Sequence, residues 1–229
     1  MKTAIVTGAS GNMGQAVVKK MLLEGYRVIG TVVPNDHVEL NIEDANFKKV
    51  VVDLADEEAS LQFINSSIST YEQIDVTVLT VGGFAMGKIA ETKTSDIAQQ
   101  YKLNFETAYN IARPAFEHMM DKKYGRIFLI GSRPGISAAN SKGMVAYGLA
   151  KSLLFRLAEL MNDEAKSTNV VTSVIVPSTI DTPPNRSSMP TADFDAWVKP
   201  ASIANIIHFY CSEEGDVLRE PVIKIYNRS

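Results

Sequence analysis

Short runs of consecutive apolar residues alternate with longer amphipathic stretches along the chain of 229 residues. Runs such as Val50–Val52 and Ile127–Ile130 are typical of strands covered on both faces, because a half-exposed strand alternates apolar with polar positions. The pattern predicts strands in seven places. They are Thr3–Thr7, Arg27–Val33, Lys48–Asp53, Asp75–Thr80, Gly125–Gly131, Val170–Val176 and Val222–Tyr226.

Between these runs, apolar side chains recur at helical spacing. The spacing predicts amphipathic helices over Gly14–Leu23, Glu58–Ser69, Ile97–Met120 and Tyr147–Ala165. Strands that alternate with helices predict an α/β fold, a doubly wound parallel sheet of about seven strands with helices on both faces. The apolar stripe on the last of these helices is wider than one sheet face requires, which favours a homodimer or homotetramer.

One long stretch, Pro177–Pro200, shows no periodicity and contains further prolines at positions 183, 184 and 190. A structureless segment of this length in a compact domain is usually functional or disordered. It follows a predicted strand end, which is where ligands bind in open α/β sheets. We therefore predict a substrate lid loop over residues 178–200, with a plain exposed loop as the alternative.

Composition narrows the range of partners. The chain has 23 Lys and Arg against 26 Asp and Glu, a formal net charge of −3, which predicts neither nucleic acid nor an anionic membrane as a partner. Its lone cysteine, Cys211, cannot form an internal disulfide, and no apolar run approaches the roughly 18 residues of a membrane helix. We expect a soluble, cytoplasmic protein. Its three histidines are far apart, so no metal site is predicted.

A glycine-rich turn follows the first predicted strand and opens the first helix. Glycine lets the backbone approach a pyrophosphate closely, and the helix N-terminus adds unpaired N–H groups and partial positive charge. The turn predicts a dinucleotide site, with an unliganded tight turn as the alternative. The predicted contacts are Gly8, Ser10, Gly11, Asn12, Met13 and Gly14.

The end of the second strand commonly selects the nicotinamide cofactor, because an acidic side chain there binds the ribose 2′-OH and repels a 2′-phosphate. The expected position is Val32, which is uncharged, while Asp36 and His37 lie a little further on. The choice between NAD and NADP therefore stays open. After the third strand, Asp53 is a candidate for the adenine amino group with Leu54 backing the ring, although Asp53 is also a good helix N-cap.

Tyr147 and Lys151 stand four residues apart in a helical pattern, so they share one helix face. The pKa of an unperturbed tyrosine is near 10, too high for efficient proton transfer at neutral pH, and a neighbouring ammonium group lowers it. Taken alone, this spacing usually has no functional meaning. Its weight comes from the motifs that accompany it.

These motifs follow one another in the order that is typical of the short-chain dehydrogenase/reductase family, and nearly the whole chain resembles that family. The resemblance implies a single Rossmann-type NAD(P)-binding domain over residues 1–229 that transfers hydride between the cofactor and a small-molecule carbonyl or alcohol. The matching segments are Thr7–Gly14, Asp53-Leu54, Val81-Gly82-Gly83, Asn104, Ser132, Tyr147 with Lys151, and Pro177–Thr182.

The resemblance also implies individual roles. Tyr147 would be the general acid on the carbonyl oxygen, Ser132 would hydrogen-bond that oxygen, and Lys151 would lower the tyrosine pKa. Lys151 would also bind the ribose hydroxyls. Asn104 would complete a proton relay through a helix irregularity and a bound water. Further cofactor contacts would be Val32, Asp53, Leu54, Val81, Gly82, Gly83, Tyr147, Lys151, Pro177, Ile180 and Thr182, the last two holding the carboxamide.

Two positions depart from the family pattern. Asn12 stands where a glycine is usual, although asparagine tolerates left-handed backbone. Ser132 lies fifteen residues before Tyr147, whereas thirteen is usual and would fall on Pro134. We take Ser132 as the catalytic serine and expect a two-residue insertion in the loop 134–143.

The segment 180–197 also resembles dihydropteridine reductase, which adds a quinonoid dihydropteridine-like imine to the candidate substrates. A non-catalytic NAD(P)-sensing regulatory module on the same fold is the alternative function. An epimerase or dehydratase that uses its cofactor transiently is a third, disfavoured because such relatives usually carry a larger C-terminal substrate region.

Overall fold

The computed structural model describes residues 1–139 and 141–229. Its strands are β1 (Thr3–Thr7), β2 (Arg27–Val32), β3 (Phe47–Val51), β4 (Val76–Leu79), β5 (Tyr124–Ile130), β6 (Asn169–Pro177) and β7 (Val222–Ile225). They form one sheet in the order β3-β2-β1-β4-β5-β6-β7, and every neighbouring pair is parallel. The predicted doubly wound parallel sheet of the Rossmann type is confirmed.

Helices lie on both faces of the sheet because consecutive apolar residues in its central strands need cover on two sides. The helices are α1 (Asn12–Leu23), α2 (Glu57–Tyr71), α3 (Thr94–Tyr101), α4 (Thr107–Lys122), α5 (Arg133–Ile136), α6 (Val145–Glu164), α7 (Pro183–Ser188) and α8 (Pro200–Phe209). One core packs α2, α4 and α6 on the sheet, and the other packs α1 and α8. Within the described residues, no helix combines the length and apolar character that crossing a bilayer requires.

The third strand differs from its prediction. The run Val50–Val52 suggested a strand covered on both faces, but β3 is the edge of the sheet, and Val51 is 58% exposed. Val50 packs partly against the core under α2, and Phe47 packs partly against the opposite core. The run of consecutive apolar residues therefore correctly predicted that a strand forms here. The prediction that both faces of this strand are covered was wrong.

The segment after β6 is more ordered than the predicted irregular loop. Helix α7 begins directly after Thr182, whose hydroxyl accepts a hydrogen bond from the Asn185 backbone N–H at 3.4 Å. Pro183 occupies the first helical position, where no N–H is needed and the fixed φ angle of proline suits the helix. A short turn of 3₁₀ helix over Phe194–Ala196 follows. The prolines at 183 and 184 therefore start a helix inside the segment that was expected to be structureless.

The predicted helix over Ile97–Met120 is interrupted near its start. Helix α3 continues into a π-helical turn, Lys102–Glu106, which continues into α4. Single π turns inside α-helices often occur at functional sites. Asn104 lies in the middle of this turn, so the structure has the helix irregularity that the family resemblance implied there.

Candidate active site

A cleft of about 690 Å³ opens where β1 and β4 end. The connection from β1 leads toward β2 and that from β4 toward β5, on opposite sides, so a crevice remains between them. Sequence reasoning missed several lining residues from α3 and its π turn, among them Gln99, Lys102 and Leu103, because nothing in their pattern marks them. The predicted contacts in the lining are Gly8, Ser10, Gly11, Asn12, Met13, Gly14, Val32, Asp53, Leu54, Val81, Gly82 and Thr182. Gly83, Tyr147, Lys151, Pro177 and Ile180 do not line it.

The turn after β1 is built for close approach of a ligand to the backbone. Gly8 has a φ of 62°, and its carbonyl oxygen accepts a hydrogen bond from the Gly11 N–H at 3.0 Å. A side-chain carbon on Gly14 would overlap that carbonyl oxygen, so glycine is required at both positions. Asn12 is already the first residue of α1 and needs no left-handed backbone, which explains why glycine is dispensable there.

The N-terminus of α1 faces this turn without a side-chain cap from any described residue. Its orphan N–H groups and the positive end of the helix dipole therefore remain available for an anion. The uncapped helix, the side-chain-free turn and the adjoining cleft together fit a dinucleotide, whose pyrophosphate would lie at Gly8 to Gly14.

Asp36 reaches back toward the same turn. The pKa of its carboxyl group is lowered, chiefly by a hydrogen bond from the Ser10 hydroxyl and secondly by the Val38 N–H, which donates to Asp36 Oδ1 at 2.9 Å. Asp36 is therefore an ionised carboxylate beside a residue that lines the cleft. The uncharged Val32 ends β2 as the sequence indicated, and the nearest acidic group comes from the loop that follows.

Lys151 lies on α6 and is almost fully buried. Its Nζ donates a hydrogen bond to the Ile130 carbonyl oxygen at 2.7 Å and lies 5.9 Å from the centre of the Tyr147 ring. Burial in this apolar setting lowers the pKa of Lys151 to about 8. The ammonium form therefore still predominates at neutral pH, next to the tyrosine.

Tyr147 is half-buried on the same helix face. Burial raises the pKa of its phenol, and the Ser132 hydroxyl offsets part of that rise. The lowering of this pKa by Lys151 that the resemblance implied is not found: burial sets the direction of the shift, and only Ser132 opposes it. The phenol is thus protonated at neutral pH in this state of the protein.

Ser132 lies two residues after the end of β5, immediately before α5, and is 7% exposed. Its Oγ is buried and makes no hydrogen bond of standard geometry within the described part of the chain, although it faces Tyr147 closely enough to lower the phenol's pKa. Buried hydroxyl groups nearly always have a partner. Pro134, at the usual family spacing, instead packs against Gly148 of α6. The two-residue insertion in the loop 134–143 stays a prediction.

Asn104 is fully buried and holds the turn after β4. Its Oδ1 accepts from the Gly83 N–H at 3.1 Å, and its Nδ2 donates to the Gly83 carbonyl at 3.0 Å and to Gln100 Oε1 at 3.0 Å. A side-chain carbon on Gly82 would lie 2.7 Å from Asn104 Oδ1 and 3.1 Å from Lys151 Nζ. The amide side chain therefore fixes this turn against Lys151, and the water-mediated relay stays a prediction.

The predicted lid is held together by its own side chains. The Arg186 guanidinium donates hydrogen bonds to Asp181 at 2.5 and 2.8 Å and lies 4.7 Å from the centre of the Phe194 ring. Phe194 packs in turn on Trp197, with ring centres 4.9 Å apart. Asn227 Nδ2 donates to the Trp197 carbonyl at 3.0 Å. Within the predicted lid, Thr182 belongs to the lining of the cleft.

A parallel sheet with a dinucleotide cleft at its switch point defines a Rossmann-type nucleotide-binding protein. The family profile of short chain dehydrogenases matches residues 2–193. The chain therefore belongs to the short-chain dehydrogenase/reductase family and is an NAD(P)-dependent oxidoreductase.

Curated relatives and solved structures agree with this family. An acetoacetyl-CoA reductase of Acinetobacter sp. (strain RA3849) is 26% identical, over 93% of this chain and 92% of that protein. The 3-oxoacyl-(acyl-carrier-protein) reductase FabG of Escherichia coli (strain K12) is 27% identical, over 93% and 91%. The structure of ElxO with NADP bound shares the fold with a TM-score of 0.88 at 22% identity, over 98% of this chain and 96% of that one.

Proposed function

We propose that this single domain reduces a carbonyl compound, or a quinonoid dihydropteridine-like imine, or oxidises the corresponding alcohol, with Tyr147 as general acid and base. The observation that carries the proposal is the buried Ser132 hydroxyl, which makes no hydrogen bond of standard geometry to the described residues and lies close enough to the Tyr147 phenol to lower its pKa. A substrate oxygen would supply the missing partner. The Lys151 Nζ lies 5.9 Å from the centre of the phenol ring.

The residues around the cleft would bind the cofactor. Gly8 to Gly14 and the N-terminus of α1 would hold the pyrophosphate. Asp53 and Leu54 would bind the adenine. Val81 to Gly83 would contact the nicotinamide ribose and the nicotinamide ring. Lys151 would bind the ribose hydroxyls, and Pro177, Ile180 and Thr182 would fix the carboxamide. The bound nicotinamide supplies or accepts the hydride, which is chemistry that no side chain provides.

Proton transfer is the part of the reaction that the chain itself performs. The raised pKa of Tyr147 keeps its phenol protonated, so it can donate to the oxygen that gains charge during reduction. Ser132 would donate a second hydrogen bond to that oxygen, in a site where few waters compete. As the phenolate forms, the nearby Lys151 ammonium would stabilise it. Asn104 would keep the turn after β4 in place throughout.

The relatives suggest which carbonyl compounds to test. Reductases of acetoacetyl-CoA and of 3-oxoacyl-(acyl-carrier-protein) are among them, so 3-oxoacyl thioesters belong in the panel. Simple diketones and quinonoid dihydropterin complete it. A non-catalytic NAD(P)-sensing module would bind cofactor and transfer no hydride to any of these compounds.

Tyr147→Phe tests the proposal. We expect turnover of any substrate identified in the panel to fall by about 10²- to 10⁴-fold, the usual contribution of a positioned general acid. Affinity for the cofactor, measured by nicotinamide fluorescence, should stay close to that of the wild type because the ring is retained. Unchanged turnover would exclude Tyr147 as the proton donor.

We also propose a cytoplasmic homodimer or homotetramer that associates through α6. Leu149, Leu153 and Leu160 lie on one side of this helix and are 51%, 38% and 55% exposed. Light scattering should give a dimer or tetramer for the wild type and a monomer for Leu153→Lys combined with Leu160→Lys. A wild-type monomer at micromolar concentration would contradict this part of the proposal.

A further inference from the structure

The turn after β4 presents one aromatic ring directly to the Tyr147 phenol. The Phe84 ring meets Tyr147 edge-on, with centres 5.1 Å apart and planes at 79°, yet Phe84 is 60% exposed. Exposed single apolar residues are common on protein surfaces. An exposed phenylalanine that contacts a candidate proton donor is different, because a substrate bound at the phenol would lie close to its ring.

The backbone fixes the position of this ring. Asn104 holds Gly83, the preceding residue, through two hydrogen bonds of 3.1 and 3.0 Å. A side-chain carbon on Gly83 would lie 2.6 Å from Leu103 Cδ2, so the turn packs tightly on the π turn. Phe84 therefore stands on a rigid support, as a residue that selects a substrate needs to do.

Met86 extends the apolar surface away from the phenol. It is 65% exposed, and its Cε lies close to Gly143. A side-chain carbon added to Gly143 would be 3.2 Å from that Cε. The neighbouring Gly87 donates its N–H to the Gly143 carbonyl at 2.7 Å, which ties this turn to the loop before α6. A flexible thioether on the same turn as Phe84 can adapt to planar groups of different shape.

The other aromatic residues near the lid have different partners. Trp197 is 5% exposed and packs on Phe194, which the Arg186 guanidinium covers. These rings stabilise the lid segment. Phe84 instead lies against the candidate catalytic residue and is 60% exposed, so much of its ring is open to a ligand.

We propose that Phe84, supported by Met86, is the specificity-determining residue of the substrate site, and that the site selects carbonyl compounds with a planar apolar group next to the reacting carbonyl. This inference rests on the proposed function of Tyr147. The planar group would stack on the exposed ring of Phe84, while the carbonyl oxygen reaches Ser132 and Tyr147.

Two diketones form a matched pair of probes: phenyl methyl diketone and diacetyl, which differ by a phenyl in place of a methyl group. Binding is measured first by calorimetry in the Tyr147→Phe protein with NADH bound, so that no turnover interferes. We expect the phenyl compound to bind at least about tenfold more tightly than diacetyl, since an aromatic pair adds to simple burial of area. Adding Phe84→Ala should abolish the difference, and adding Phe84→Leu should retain part of it.

Phe209→Ala is the matched control, because Phe209 ends α8 and is 47% exposed, where it pairs with Tyr210. It should leave the preference unchanged. Equal binding of the two probes, or a preference that survives Phe84→Ala, would overturn the inference. Turnover of both probes is then measured with Tyr147 intact. Loss of Phe84 should raise the ratio of KM for the phenyl compound to KM for diacetyl about tenfold. A binding preference without any turnover would reject the proposed function and leave only the selection of planar apolar groups by Phe84.

Discussion

Replacement of Ser132 by alanine should make the protein more stable and less active at once. The Ser132 hydroxyl is withdrawn from water on folding and gains no hydrogen bond of standard geometry from the described residues. The folded protein thus carries a desolvation cost that only a bound ligand would relieve. Thr77 provides the matched control, because its Oγ1 in β4 is also buried without a partner in the described part of the chain, away from the cleft lining.

The size of both effects follows from the type of group removed. A buried polar group without a partner costs about 1–3 kcal/mol, and removal of one oxygen leaves only a small void, so Ser132→Ala should gain about 1 kcal/mol. For a chain of this length, that gain raises Tm by about 2–4 °C. Loss of one hydrogen-bond donor to a developing oxyanion should lower kcat by about 10²- to 10³-fold.

Urea denaturation gives the free energy of unfolding, and turnover of a panel substrate gives kcat. Thr77→Val should gain a similar stability and keep full activity. A Ser132→Ala protein less stable than the wild type would show that the hydroxyl has a partner in the free protein. Full activity of that variant would show that Ser132 does not contact the substrate.

Two further predictions concern pH and cofactor choice. Burial lowers the pKa of Lys151 to about 8. The value of kcat/KM for reduction should therefore fall as pH rises through about 8, because the ammonium that stabilises the forming phenolate is lost. A pH profile without this alkaline fall would contradict the role of Lys151. Asp36→Asn should raise the ratio of kcat/KM for NADPH to that for NADH by about fivefold, because the Asp36 carboxylate beside Ser10 repels a 2′-phosphate. An unchanged ratio would place the 2′-position away from Asp36.

The fold was predictable because its signals are local and repeated. Each strand is a short apolar run and each long helix an amphipathic one, so their alternation indicates a parallel sheet. Burial at the sheet edge was not predictable, as Val51 in β3 shows, because strand order decides which run lacks a neighbour. Helices α7 and α8 were missed because each begins at a proline, which is a helix start or a helix breaker depending on its position.

The sequence allowed us to predict which residues belong to the candidate site. It did not allow us to predict how burial shifts their pKa values. The spacing of Tyr147 and Lys151 indicates a shared helix face. Whether the pKa of Tyr147 is raised or lowered depends on burial, which only the packed structure shows. The same holds for Phe84, whose exposure and edge contact distinguish it from the packed Trp197. Asp36 escaped notice as a neighbour of Ser10 because a loop, and not a strand, brings them together.

Transfer of deuterium from a deuterated reduced nicotinamide cofactor tests the central claim most directly. The wild-type protein and Tyr147→Phe are each incubated with the labelled cofactor and the carbonyl panel, and the products are analysed by mass spectrometry. The account predicts deuterium at the former carbonyl carbon of a wild-type product and at least about a hundredfold slower transfer in the variant. Tight cofactor binding with no label in any product, or equal transfer by both proteins, would contradict it.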